Sequence, residues 1–183
     1  LFDYYGVKQI IRVGTCGGLL PDMKVGDLVL ATTASTDSAM NRLAFSGWDY
    51  AAGADAELLC RVRDKAVQAG LKIRTGSVFA SDWFYHPDDE FIAKVQKMGI
   101  LALDMESAAL YALAQKHGTR ALTILSVSDV IPTGEQASHE VRQNAFGEVI
   151  DVVLDAVEAG DAEAAAPVEE GHPGQSPLGC GGY

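Results

Sequence analysis

Four short segments carry residue types that can do chemistry. RVGTCGGL, residues 12–19, places the guanidinium of Arg12 just ahead of Gly14, Gly17 and Gly18 and the hydroxyl of Thr15. An Arg fork matches phosphate oxygens, and glycines let backbone N–H groups approach an anion. The run reads either as an anion-binding turn or as a Gly-rich connection with an exposed Arg. It is neither the nucleotide P-loop nor the dinucleotide fingerprint, lacking a GK pair followed by Ser or Thr and the GxGxxG spacing. SDWFYHP, residues 81–87, clusters three large rings that could stack on a flat heterocycle or simply fill a core; His86 beside Pro87 reads as a surface residue. LDMESAALYALA sets Asp104 and Glu106 on either side of Met105, where two carboxylates could cap a helix or accept hydrogen bonds from a polyol such as ribose. SVSDVIPTGE delivers Ser128 and Asp129 at the end of the most apolar run in the chain. A carboxylate losing hydration at such an edge is a candidate general acid, or else an Asp that only hydrogen-bonds its loop. Arg142 reads as a solvated charge near the start of the last helix.

The elements that must position these residues follow from periodicity. Residues 9–13, 27–32, 72–79, 100–103 and 121–127 read as strands, rich in Ile, Val and Leu and bounded by Gly, Pro and Asp. Asp55 is placed to cap a helix through Ala69, with Leu58, Leu59, Val62 and Ala66 on one face and Gly70 as its stop. A second helix is expected to open at Pro87 and end at Gly99, a third to run over residues 106–117, and a fourth over 139–159. Strands alternating with helices favour an α/β fold with a mostly parallel sheet, whose ligands sit at the carboxyl ends of its strands.

Composition narrows the function. With 14 Lys and Arg against 25 Asp and Glu, a net charge of -11, the chain argues against binding a nucleic-acid backbone, which needs clustered cations. A small-molecule substrate fits better, and an anionic one would need a few well-placed cations. No run of residues approaches the ~20 apolar positions of a membrane span. Cys16, Cys60 and Cys180 form no CxxC and have no neighbouring His, so neither a zinc site nor a disulfide framework is expected, and a reducing, cytoplasmic setting is. After Gly160 the sequence turns rich in Gly, Pro and acids with no Lys or Arg, so residues 161–183 read as a disordered tail. The chain opens at Leu1 inside an apolar, aromatic run, which reads as a fragment.

In combination, RVGTCGGL, TDSAMNRLAF, GSVFASDWFYHP, LALDMESAALYALA and ALTILSVSDVIPTGE resemble the bacterial purine nucleoside phosphorylases of the hexameric type, over about residues 9–160. The resemblance implies a three-layer αβα fold with a central mixed, partly barrel-like sheet. It implies phosphorolysis of purine ribo- and deoxyribonucleosides to free base and pentose 1-phosphate, with inorganic phosphate as co-substrate and no cofactor or metal. Position by position, it assigns Arg12, Thr15 and Gly17 to phosphate; Phe84, Asp104, Met105, Glu106 and Ser128 to the nucleoside; and Asp129 as the acid to purine N7, paired with Arg142 on closure. Relatives often carry Ser at Thr15 and Glu at Asp104. A homo-oligomer, a hexamer built as a trimer of dimers, is implied as the partner state, with neither nucleic acid nor membrane.

The nearest rival within the same superfamily is a nucleosidase that cleaves methylthioadenosine or adenosylhomocysteine with water, which would have no need of a phosphate cradle. An inactive nucleoside-binding or assembly remnant is the alternative from another class. The resemblance also makes residues 1–160 a partial domain. Relatives carry more chain ahead of the position of Leu1, including further phosphate-binding groups, so these residues alone are expected to be inactive or poorly folded.

Overall fold

The expected alternation of strands and helices is present in a computed structural model that describes residues 1–138 and 146–165. In chain order the elements are α1 (Phe2–Tyr5), β1 (Gln9–Gly18), β2 (Leu28–Thr36), α2 (Met40–Ala44), α3 (Ala56–Gln68), β3 (Ile73–Ala80), α4 (Phe91–Lys97), β4 (Ala102–Asp104), α5 (Ser107–Lys116), β5 (Arg120–Val130), β6 (Glu135–Gln136) and α6 (Gly147–Ala165).

The strands lie in the order β1-β4-β3-β2-β5-β6, and β1 also pairs with β5, so five of them close into a ring with β6 appended. The sheet is mixed and not mostly parallel: β1–β5, β2–β3 and β3–β4 are parallel, whereas β1–β4, β2–β5 and β5–β6 are antiparallel. Connection length explains the departure. A parallel crossover takes about a dozen residues or more, usually a helix, and residues 19–27 between β1 and β2 contain none, so the chain turns back on itself. Closure is partial, because β4 meets β1 only at Gly17 and Gly18.

Alternation along the strands sends side chains to two apolar layers. Leu28, Leu30, Leu122 and Ile124 pack with Leu58 and Val62 of α3 and with Val149, Val153 and Ala156 of α6. Val29, Ala31, Leu125 and Val127 pack with Ala108, Tyr111 and Ala114 of α5. Asp55 caps α3 as expected, its side chain accepting from the Leu58 N–H at 2.9 Å. The helix expected to open at Pro87 starts instead at Phe91. Local bonds hold the preceding residues in a turn: the Asp88 N–H donates to His86 Nδ1 at 3.1 Å, and Asp88 Oδ1 accepts from the Glu90 N–H at 2.9 Å.

The final helix runs to Ala165, five residues into the stretch expected as tail; its expected start at residues 139–145 and the remaining tail lie outside the described residues. Cys16 is a buried free thiol, whereas Cys60 on α3 is disulfide-bonded, which departs from the expectation of three reduced cysteines. No described helix is long and apolar enough to cross a membrane.

Candidate active site

The glycine-rich run expected as a turn is the second half of strand β1, extended through Gly18. Pairing explains this, since Gly17 and Gly18 are bonded to β5 on one side and β4 on the other. Its glycines serve close approach by neighbouring side chains. A Cβ at Gly14 would stand 2.2 Å from Arg12 Nη1, so the guanidinium lies back over that glycine. A Cβ at Gly17 would stand 3.2 Å from Asp129 Oδ2, and one at Gly18 would stand 3.0 Å from the Met23 sulfur. Thr15 is exposed on this strand.

Arg12 draws two carboxylates together. Its Nη2 donates to Glu106 Oε2, and its Nη1 stands 3.7 Å from Asp104 Oδ2. The two acids, equivalent in sequence, part company in the fold. Asp104, at the end of β4, is 0% exposed and caps α5: its Oδ2 accepts from the Ser107 N–H at 3.1 Å and from the Ser107 hydroxyl. Burial raises its pKa, against the lowering effect of Ser107 and Arg12. Glu106 is 57% exposed and makes no cap bond, which leaves its carboxylate presented outward with Arg12. Asp104 Oδ1 and Arg12 Nη1 are buried without a hydrogen-bond partner.

The third group sits one strand over. A bulge between Cys16 and Gly17 sets Gly17 opposite Asp129 in the β1–β5 register. Ser128 Oγ donates within reach of Asp129 Oδ1 at 2.8 Å and of the Cys16 carbonyl at 3.2 Å. Burial pushes the Cys16 thiol up, Asp104 and Asp129 push it further, and Arg12 pulls against them.

Phe84 is 79% exposed in the segment after β3, beside the exposed Trp83 and Tyr85, and Met105 is half-exposed. The base of that segment is tied to the site, because the Ser81 N–H donates to the Asp104 carbonyl at 2.9 Å. Thus Arg12, Asp104, Glu106, Ser128 and Asp129 are gathered around β1, with Thr15 and Gly17 on the same strand and the Phe84 segment adjoining. Arg142 lies outside the described residues. Sequence reasoning missed Asp37, which fastens the Phe84 segment, and the role of Gly14 as the seat of Arg12. The sole sequence signal for Asp37 was its place in TDSAMNRLAF. No group of residues suited to hold a metal ion occurs among the described residues.

A family model described as the phosphorylase superfamily matches residues 1–159. A protein named purine nucleoside phosphorylase DeoD-type from Caldanaerobacter subterraneus subsp. tengcongensis is 48% identical over 155 residues, covering 85% of this chain and 67% of that protein. Proteins of the same name from Bacillus cereus and Bacillus thuringiensis are each 47% identical over 156 residues, covering 85% of this chain and 66% of theirs. The chain thus spans about two thirds of the length of these relatives.

Proposed function

The chain belongs to the phosphorylase superfamily, and from that premise we propose that it cleaves purine nucleosides with inorganic phosphate, releasing the free base and a pentose 1-phosphate. The observation that carries this reading is the gathering of one cation and three acids of different exposure around β1: Arg12 against Glu106 and Asp104, with Asp129 across the strand.

The chemistry divides among them. As the glycosidic bond lengthens, positive charge grows on the sugar and negative charge on the departing purine. Arg12, with Thr15 and Gly17 on the same strand, orients phosphate toward the anomeric carbon. The exposed Glu106 carboxylate accepts hydrogen bonds from the sugar hydroxyls beside Met105, and Phe84 covers the nucleoside. Ser128 holds the Asp129 carboxyl, which gives its proton to purine N7 as the C–N bond breaks and the phosphate oxygen bonds to carbon. Arg142 pairs with Asp129 in this scheme. The reaction needs no cofactor. In this scheme the buried Asp104 carboxyl supports Arg12 from behind.

The reading extends to a homohexamer in the cytoplasm. Met40, Leu43, Phe45 and Trp48, exposed on and just after α2, offer an apolar surface that such an assembly would cover. Fractionation of the producing cells, with the protein followed by immunoblot, tests the location.

The reaction is tested by following base release from inosine, adenosine and guanosine with and without phosphate. Phosphate-dependent release supports the proposal. The assay uses the protein as its cell makes it: release in water alone points to a nucleosidase, and no release under either condition overturns the enzymatic reading.

A further inference from the structure

The segment carrying Trp83, Phe84 and Tyr85 is fastened at its start to a single carboxylate, and the histidine at its far end lies close to the same group. Asp37 follows directly on β2. Its Oδ2 accepts from the Ser81 hydroxyl at 2.7 Å, and its Oδ1 accepts from the Asp82 N–H at 2.9 Å. At the far end of the segment, His86 Nε2 stands 3.5 Å from Asp37 Oδ2. The orientation of that imidazole is set independently. Its Nδ1 accepts from the Asp88 N–H at 3.1 Å, and its ring stacks on Phe91 with centroids 3.9 Å apart and planes 10° from parallel. With Nδ1 accepting, the neutral ring carries its proton on Nε2, toward Asp37. Inside the clasp the Trp83 N–H donates to Ser81 Oγ at 3.0 Å.

The rings between these anchors face outward. Phe84 and Tyr85 are 79% and 86% exposed and touch each other edge-to-face at 5.0 Å. Their position is therefore set at the ends of the segment and not by burial of the rings themselves. Ser81, only 3% exposed, is the pivot: its hydroxyl binds Asp37 while its N–H binds the carbonyl of Asp104, the residue behind Arg12.

We propose that Asp37 is a positioning residue for the reaction: by holding Ser81 and Asp82, with His86 close by, it fixes the Phe84 segment against the end of β4 at Asp104, and so sets the affinity for the nucleoside without touching it. This rests on the purine nucleoside reading above. A carboxylate serves here because one group must accept from several donors at once, and charged acceptors make the stronger bonds.

The test uses the intact enzyme in a Trp48→Phe background, which leaves Trp83 as the single tryptophan. Asp37→Ala, Asp37→Asn and Ser81→Ala are compared by the fluorescence anisotropy decay of Trp83 and by KM for inosine and for phosphate. Asp37→Ala is expected to speed the local motion of Trp83 and raise KM for inosine about tenfold, equivalent to ~1.4 kcal/mol, with KM for phosphate unchanged. Ser81→Ala, which removes one anchor, and Asp37→Asn, which keeps one acceptor oxygen, are expected to fall between Asp37→Ala and the parent.

Unchanged Trp83 motion in Asp37→Ala overturns the clasp. Faster motion with unchanged KM for inosine overturns the positioning role, as does a parallel rise in both KM values. A parent enzyme that releases no base from inosine would sink the purine reading instead, and the anisotropy comparison would still report on the clasp.

Discussion

Asp129 and Asp104 show how two carboxylates on strands beside β1 come to have different tasks. Asp129 is half-buried at the end of a strand with a serine hydroxyl to hold it, whereas Asp104 is enclosed and committed to Ser107 and Arg12. Replacing the proposed acid, Asp129→Asn, is expected to lower turnover of inosine by roughly 10²- to 10⁴-fold, the usual worth of general acid catalysis, with KM for phosphate little changed.

Asp104 predicts a pH effect. Its pKa is raised above the ordinary 3.8, so the folded state holds that proton more tightly than the unfolded state does. Its contribution to stability then falls as pH climbs from 3.8 through the raised value. Asp104→Asn removes this penalty, and calorimetry should find a smaller drop in Tm between pH 4 and neutrality than in the parent. Gly14→Ala reaches Arg12 without altering any charge. The new methyl displaces the flexible guanidinium, and the loss of a charge-assisted hydrogen bond should raise KM for phosphate about ten- to hundredfold, equivalent to ~1.5–3 kcal/mol. A steady-state phosphate titration checks it.

At the scale of elements, Tyr111 illustrates how a helix completes the sheet. β2 pairs with β5 up to Ala31, where the register of β2 then shifts. At that point the Tyr111 hydroxyl donates to the Ala31 carbonyl at 2.7 Å and accepts from the Thr123 N–H at 3.0 Å. Tyr111→Phe strands both backbone groups in a dry interior, and urea unfolding should show a loss of about 1–3 kcal/mol for a buried polar group left without its partner.

Such bridging was not legible in LYALA, where Tyr111 reads only as apolar. What was legible were elements whose local signal agrees with their tertiary role: the Asp55 cap, and β5, whose apolar run is buried on both faces. The glycines of β1 were misread because their turn propensity gave way to pairing with strands more than eighty residues away. Pro87 was misread because the Asp88 turn took the backbone donors that an earlier helix start would have used. For the site, Arg12, Glu106 and Asp129 were legible from residue type and resemblance. The separation of Asp104 from Glu106 was not, since adjacent carboxylates are told apart only by which one the strand turns inward.

The whole molecule presents an apolar, aromatic surface at α2 that a lone chain leaves in water, with Leu43 80% and Trp48 68% exposed. If self-assembly covers it, Leu43→Glu should shift the mass seen by sedimentation toward the single chain while leaving far-UV circular dichroism unchanged. The ring of strands has a different implication, which concerns the order of events during synthesis. Its seam joins β1 to β5, Gln9 opposite Arg120 and Gly18 opposite Val130, so β1 waits for a partner that is made much later in the chain. Among the described strands, β1 has only its two-residue contact with β4 to settle on until the ribosome has delivered β5. Loops of that span close slowly and raise the contact order of the fold. β1, with Arg12 on it, therefore takes its final place in this ring only when the seam zips.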